Sequence, residues 1–278
     1  MSSLSDPSHR NSSGKRTFIK GVTRSAILKL QRNLRLFPKE ICLISGAPRS
    51  GTSVLCEWLG HQAGVSVFPE SRILVSIDRF IAEIHRFQKL DRDSATIINL
   101  ARRLVFDYYS RSRILMGKRL LIDKEPLEPI AFPSKGYEQF IINVRMLFPE
   151  SKLLLAIRDP ISTIWSMTRR TWGESLTNME TKRFTIEEHQ ENWSSCADLV
   201  LKYCSDPNTY IVQFGRLVHD PENESRRIFD FLNIRKGNSF QPRQTKEIGF
   251  NNEEQEKILR MVQPQLELLN AQGISDLK

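Results

Sequence analysis

Short apolar runs alternate along this chain with longer stretches in which apolar residues recur every three or four positions. The short runs are four or five residues long and end at turn-forming residues, which predicts buried β-strands. The longer stretches, such as 54–59, 222–233 and 252–271, predict helices. Alternating strands and helices predict an α/β fold in three layers, a parallel β-sheet flanked by helices. The predicted strands are Ile41–Ser45, Leu120–Asp123, Leu153–Ile157 and Tyr210–Phe214.

The beginning of the chain departs from this pattern. Residues 1–20 are rich in serine and basic residues and poor in large apolar ones, which predicts a flexible tail. Residues 21–278 then predict a single α/β domain. Within it, segment 26–37 has apolar residues on one helical face and basic residues elsewhere. This segment either packs on its own domain or contacts a membrane surface as a basic amphipathic helix.

The amino-acid composition limits the classes of ligand, partner and compartment that this protein can have. The 278 residues include 41 basic and 32 acidic side chains, and the net charge of +9 favours anionic ligands. No zinc-finger spacing, aromatic-basic signature or basic zipper occurs, so we predict no nucleic-acid partner. No apolar run reaches the roughly 18 residues of a transmembrane helix. The four cysteines lie in regular apolar segments without a Cys-x-x-Cys pair, which predicts reduced thiols and a cytoplasmic protein.

The first strand, Ile41–Ser45, runs directly into the glycine-rich loop 46–53, Gly-Ala-Pro-Arg-Ser-Gly-Thr-Ser, and then into a helix. Free N–H groups and the positive dipole end of that helix would stabilise an anion. The glycine spacing matches a nucleoside-triphosphate P-loop, but Thr52 stands where that motif has its lysine. Arg49 supplies a planar donor for phosphate or sulfonate instead. The alternative is a glycine turn that binds nothing.

The loop has the form Pro-x-x-Gly-Thr-Ser and resembles that of the sulfotransferases that use 3′-phosphoadenosine 5′-phosphosulfate (PAPS). In that family the loop grips the 5′-phosphosulfate of the cosubstrate. The resemblance implies a fold of the P-loop nucleotide-binding type, PAPS as cosubstrate and no metal. It also implies that the cosubstrate is bound by Pro48, Arg49, Ser50, Gly51, Thr52 and Ser53.

A second family motif provides an arginine and a serine for the 3′-phosphate of the nucleotide. Here the strand Leu153–Ile157 runs into Arg158-Asp159-Pro160, and Ser166 follows on the next helix. Asp159 is suited to cap that helix and Pro160 to occupy its first turn. The resemblance therefore implies that Arg158 and Ser166 bind the 3′-phosphate.

The catalytic residues follow from a closer resemblance to the tyrosylprotein sulfotransferase branch. That branch has its base in a Glu-x-Arg sequence, which Glu70-Ser71-Arg72 matches. It also has a lysine that contacts the transferring group, which Lys124 matches at the end of a predicted strand. The resemblance implies that Glu70 is the base and that Lys124 and Arg49 stabilise charge on the transferring group. Glu125 is a rival base, and His61 and His85 are further alternatives.

The predicted function is therefore transfer of a sulfuryl group from PAPS to a hydroxyl acceptor: a carbohydrate, a lipid, a small metabolite or tyrosine. We also predict that Ser239, Arg243 and Lys246, in the loop before the last helix, close over the nucleotide. One alternative is a P-loop kinase or another nucleotide-binding protein. The other is a non-enzymatic binder of anionic polymers.

Overall fold

The structure, a computed structural model, describes residues 40–87, 94–112, 117–132, 136–172, 183–242 and 249–275, together with Leu115 and Leu277. Several predictions concern residues outside these ranges. They are the tail 1–20, the amphipathic segment 26–37, and Arg243 and Lys246 of the predicted closing loop.

A parallel five-stranded sheet forms the centre of the described part of the chain. Its strands are β1 (Glu40–Gly46), β2 (Val65–Pro69), β3 (Leu120–Lys124), β4 (Lys152–Ile157) and β5 (Thr209–Gln213). Their order across the sheet is β2-β3-β1-β4-β5. The four predicted strands match β1, β3, β4 and β5 to within one residue at either end. The prediction missed the edge strand β2, in which the polar Ser66 interrupts the apolar run and Pro69 ends it.

Helices follow or separate the strands. Phe214, predicted as the end of a strand, instead begins a short helix, and the predicted last helix, 252–271, is confirmed. The described helices are α1 (Thr52–Gly60), α2 (Ile73–Phe87), α3 (Ser94–Ser112), α4 (Tyr137–Leu147), α5 (Pro160–Thr168), α6 (Ile186–Tyr203), α7 (Phe214–His219), α8 (Pro221–Leu232) and α9 (Asn252–Ala271).

Two hydrophobic cores cover the two faces of the sheet. Side chains alternate along each strand, so Ile41 and Leu43 of β1 join the core under α2 to α6 and α9. Cys42 and Ile44 point the other way, into the core under α1, α7 and α8. The predicted three-layer α/β fold is confirmed. No helix in the described ranges is long and apolar enough to cross a membrane.

The register of the sheet brings four strand ends to one edge. Lys124 at the end of β3 lies opposite Ile44 of β1 and Pro69 of β2. On the other side of β1, Gly46 lies opposite Ala156 of β4. The segments that leave these strands therefore start next to one another, at the edge where ligands bind in open α/β sheets.

A buried histidine packs against aromatic residues of the larger core. His189 of α6 packs between Trp172 and Phe184, with ring centroids 6.1 and 5.9 Å away. Neither ring nitrogen has a hydrogen-bond partner among the described residues. Burial lowers the pKa of His189 to about 4, against the opposing effect of Glu188. The imidazole is therefore neutral at pH 7.

This histidine predicts a loss of stability in mild acid. The side chain of His189 takes up a proton near pH 6.5 in the unfolded chain, but only near pH 4 in the folded protein. Stability should therefore fall as the pH drops through this window, by up to about 1.4 kcal/mol per pH unit. In urea titrations, His189→Leu should make the free energy of unfolding less dependent on pH there. Val200→Ala, which removes core volume from the same helix, should keep the wild-type slope; an equal slope for His189→Leu would contradict the assignment.

Candidate active site

The loop after β1 is tied to its neighbouring strand by short contacts. Gly46 has φ 135°, and a side chain at this position would collide with the carbonyl of Ala156 in β4. The hydroxyl of Ser50 donates to the carbonyls of Ala47, at 2.6 Å, and Ala156, at 3.1 Å. Ser50 is fully buried, so its side chain serves the loop itself.

Helix α1 begins at the end of this loop. Gly51 caps it in the left-handed conformation, with φ 93°, and a side chain there would collide with the ring of Phe214. The first N–H groups of a helix have no partner within the helix. Thr52 and Ser53 begin α1 at the wall of a cavity. The local structure thus places a helix N-terminus at the cavity, and helix N-termini are suited to anions.

The cavity is open to solvent and has a volume of about 140 Å³. Eight of the ten predicted site residues line it, and Ser50 and Lys124 do not. The lining residues are Pro48, Arg49, Gly51, Thr52, Ser53, Val54, Glu70, Pro126, Glu128, Arg158, Ser166, Arg170 and Phe214.

One side of the cavity is strongly basic. The Nε of Arg49 donates to the hydroxyl of Ser166 at 2.8 Å, so the two predicted anion pockets adjoin. The guanidinium of Arg158 lies over the ring of Phe214, 5.3 Å from its centre. Burial lowers the pKa of Arg49, and the positive charges of Arg170 and Arg158 lower it further. A bound anion would relieve this repulsion, so the residues fit a phosphorylated cosubstrate.

The start of α5 positions Arg158. The carboxylate of Asp159 accepts from the backbone N–H of Ser162 at 2.7 Å, and Pro160 is the first helical residue. The predicted capping arrangement is therefore confirmed. The indole N–H of Trp193 donates to the carbonyl of Arg158 at 3.0 Å and holds the strand end from the other side.

Glu70, which lines the same cavity, forms an ion pair with Lys124. Lys124 is only 2% exposed, and its ammonium also donates to the hydroxyl of Ser53 at 3.1 Å. A lysine thus reaches the glycine loop from β3 although the loop contains none. Burial by itself would raise the pKa of Glu70, but Lys124, Arg72 and Arg170 outweigh it and hold the pKa below its usual value. Glu70 is therefore a carboxylate at neutral pH.

The rival bases occupy different places. Glu125 is fully buried, outside the cavity lining, and accepts from the backbone N–H of Arg72 at 2.5 Å. Burial and the neighbouring Asp123 raise the pKa of Glu125. His61 follows the far end of α1, roughly 13 Å from its first residue at 1.5 Å per residue. The side chain of His85 lies outside the described residues.

The sequence reasoning missed five residues of the cavity wall: Val54, Pro126, Glu128, Arg170 and Phe214. Arg170 follows Ser166 by four positions but lies beyond the end of α5 at Thr168, so helical spacing did not predict it. Phe214 was assigned to a strand. No sequence pattern predicted Glu128 as a site residue. Its ion pair with Arg72, at 2.6 Å, exists only in the folded chain. No three metal-binding side chains come together in the described ranges.

Comparison with known proteins identifies the family. The profile described as "Sulfotransferase family" matches residues 42–236, well over half of the chain. The chain belongs to the sulfotransferase family. This sulfotransferase is similar to the nodulation protein NoeE of Sinorhizobium fredii, with 25% identity over 68% of this chain and 48% of the relative. It is also similar to protein-tyrosine sulfotransferase A of Caenorhabditis elegans, with 26% identity over 69% of this chain and 49% of the relative.

The chain thus spans about half the length of these two relatives. Among solved structures, a sulfotransferase from Alicyclobacillus acidocaldarius matches with a TM-score of 0.54 and 17% identity. That match covers 86% of this chain and 97% of the other and shows a shared fold. The family and the three-layer fold therefore agree with the sequence-based prediction.

The glycine loop generates a prediction with a matched control. Gly51→Ala combines an unfavourable positive φ with a collision against Phe214, whereas Gly117→Ala has φ 75° and no atom within 4 Å. We expect Gly117→Ala to destabilise by about 1 kcal/mol and Gly51→Ala by about 2 kcal/mol more, with loss of nucleotide binding. Thermal unfolding and calorimetry would measure both. Equal effects of the two substitutions would contradict the close packing of loop and ring.

Proposed function

We propose that this protein transfers a sulfuryl group from PAPS to a hydroxyl acceptor. The observation that carries the proposal is a single cavity lined by three arginines, by a helix N-terminus and by a carboxylate that is paired with a buried lysine. The arginines and the helix N-terminus suit a polyanionic nucleotide. The carboxylate suits removal of a proton from an acceptor.

The basic side divides into two parts. We propose that the loop N–H groups at Gly51 and Thr52, together with Arg49, hold the 5′-phosphosulfate. Arg158 and Ser166 hold the 3′-phosphate, and Arg170 adds a third guanidinium to the same wall. The contact between Arg49 and Ser166 supports this division, because it makes the two anion sites neighbours, as the ends of one nucleotide require.

Glu70 is the proposed base. PAPS supplies the activated sulfuryl group, whose bond to the bridging phosphate oxygen breaks as a bond from sulfur to the acceptor oxygen forms. Glu70 takes the acceptor proton, and the bridging oxygen keeps the electron pair and leaves as part of 3′-phosphoadenosine 5′-phosphate. Lys124 lies against both Glu70 and Ser53, so its charge is available to the base and to the loop. Donors that oppose growing charge on a leaving oxygen lower the barrier of such transfers.

The acceptor is proposed only as a hydroxyl compound: a carbohydrate, a lipid, a small metabolite or a tyrosine side chain. Glu125 is less suited than Glu70 to receive its proton, because Glu125 is buried behind Arg72. The cytoplasmic location, the absence of a nucleic-acid partner and the closing loop around Ser239 stay predictions.

Nucleotide binding tests the two anion sites. We expect 3′-phosphoadenosine 5′-phosphate to bind at least about 100-fold more tightly than AMP in calorimetry, because charge-assisted hydrogen bonds to the 3′-phosphate are lost with AMP. Arg158→Ala should remove most of this preference. Arg216→Ala, outside the cavity lining, is the matched control. Equal binding of both nucleotides, or tighter magnesium-dependent binding of ATP, would favour a kinase.

Transfer itself tests the base. With labelled PAPS and a panel of hydroxyl acceptors, Glu70→Gln should reduce transfer by about 100-fold or more, since general base catalysis typically contributes that much. The nucleotide affinity should stay close to that of the wild type. Glu83→Gln, an exchange of the same type outside the cavity lining, provides the control. Unchanged transfer by Glu70→Gln would exclude Glu70 as the base.

A further inference from the structure

The predicted base lies in a strained turn. Glu70 and Arg72 have φ values of 55° and 59°, in the left-handed region that residues with side chains rarely adopt. They flank Ser71, and Glu70 comes directly after the edge strand β2. Non-glycine residues keep such a conformation only where the surroundings impose it. Residues after β2 and at the end of β3 form contacts that hold turn 70–72.

The end of β3 supplies the first two contacts. The backbone N–H of Glu70 donates to the carbonyl of Lys124 at 2.8 Å, beside the ion pair between their side chains. The hydroxyl of Ser71 donates to Oδ2 of Asp123 at 2.6 Å. Asp123 is fully buried, so this contact is shielded from water.

Glu125, the residue after β3, supplies the third contact. The backbone N–H of Arg72 donates to Oε1 of Glu125 at 2.5 Å, and its guanidinium pairs with the other oxygen at 3.3 Å. Residues 123–125 at the end of β3 therefore hold all three residues of turn 70–72. The pairs are Asp123 with Ser71, Lys124 with Glu70, and Glu125 with Arg72.

Helix α3 contacts the carboxylate of Asp123 through Tyr109. The hydroxyl of Tyr109 donates to the same oxygen of Asp123 at 2.5 Å, and Tyr109 is also fully buried. Asp123 thus links the turn to a helix packed in the core. A carboxylate oxygen that accepts two hydroxyl hydrogen bonds is restricted in both position and rotation.

We propose that Asp123 and Tyr109 are positioning residues, which act through Ser71 to hold turn 70–72 so that the carboxylate of Glu70 meets Lys124 and faces the cavity. The catalytic consequence rests on the proposed function, whereas the placement of Glu70 does not. Asp123 and Tyr109 do not line the cavity. Their effect passes through the turn, and misplacing a reacting group by about 1 Å can slow an enzyme about 100-fold.

The test measures Glu70 directly. In protein labelled with ¹³C-glutamate, the titration of the Glu70 carboxylate gives its pKa, and Glu70→Gln assigns the signal. Ser71→Ala should raise this pKa toward its ordinary value, because Glu70 moves away from Lys124. Ser71→Thr keeps the hydroxyl and should retain the wild-type pKa. Tyr109→Phe should raise the pKa in the same direction by a smaller amount.

Activity and binding complete the test. Ser71→Ala should slow PAPS-dependent transfer by about 10-fold to 100-fold, with the affinity for 3′-phosphoadenosine 5′-phosphate changed less than about two-fold. The control is Tyr210→Phe in the edge strand β5, which removes a tyrosine hydroxyl that donates to the carboxylate of Glu224 at 2.9 Å. It should change neither the pKa of Glu70 nor transfer.

Two results would overturn the proposal. One is an unchanged pKa of Glu70 in both Ser71→Ala and Tyr109→Phe. The other is a loss of nucleotide binding in proportion to a fall in the melting temperature, which would mean that these residues only maintain the fold. If the wild-type protein transfers no sulfuryl group at all, the proposed function fails, and the pKa measurements still decide whether the turn is held as described.

Discussion

The pairing of β1 with β3 on one side and β4 on the other is the constraint on which the site depends. All three strands run in the same direction, so their carboxyl ends meet at one edge. The glycine loop, Lys124 and Arg158 leave these ends and become neighbours although they are distant in sequence. Gly46 keeps β1 close to β4, because any side chain there would collide with the carbonyl of Ala156.

Charge is separated within the cavity that this edge creates. Arg49, Arg158 and Arg170 lie together on one side, where burial and mutual repulsion lower the pKa of Arg49. Glu70 of the same cavity and Lys124 neutralise each other in a contact that is largely removed from water. The first arrangement favours an added anion, while the second keeps a carboxylate ionised. Both properties follow from placement, because none of these side chains is unusual by itself.

Local strain has a role in this placement. The turn that contains Glu70 and the loop that contains Arg49 both include non-glycine residues in the left-handed conformation. Hydrogen bonds from the end of β3 hold the turn, and the hydroxyl of Ser50 holds the loop. The same buried strand ends thus provide the hydrogen-bond partners and the direction in which the reactive side chains point.

The sequence by itself determined the strands β1, β3, β4 and β5, the glycine loop, the capped start of α5 and the family, because each depends on apolar runs or on motifs of neighbouring residues. Only the tertiary structure decided that Arg49 touches Ser166, that Arg170 and Glu128 join the cavity and that Asp123 supports Ser71. Edge strand β2 also escaped the sequence pattern. These features depend on contacts between residues 50 to 120 positions apart, and such contacts are set by the register of the sheet and leave no periodicity along the chain.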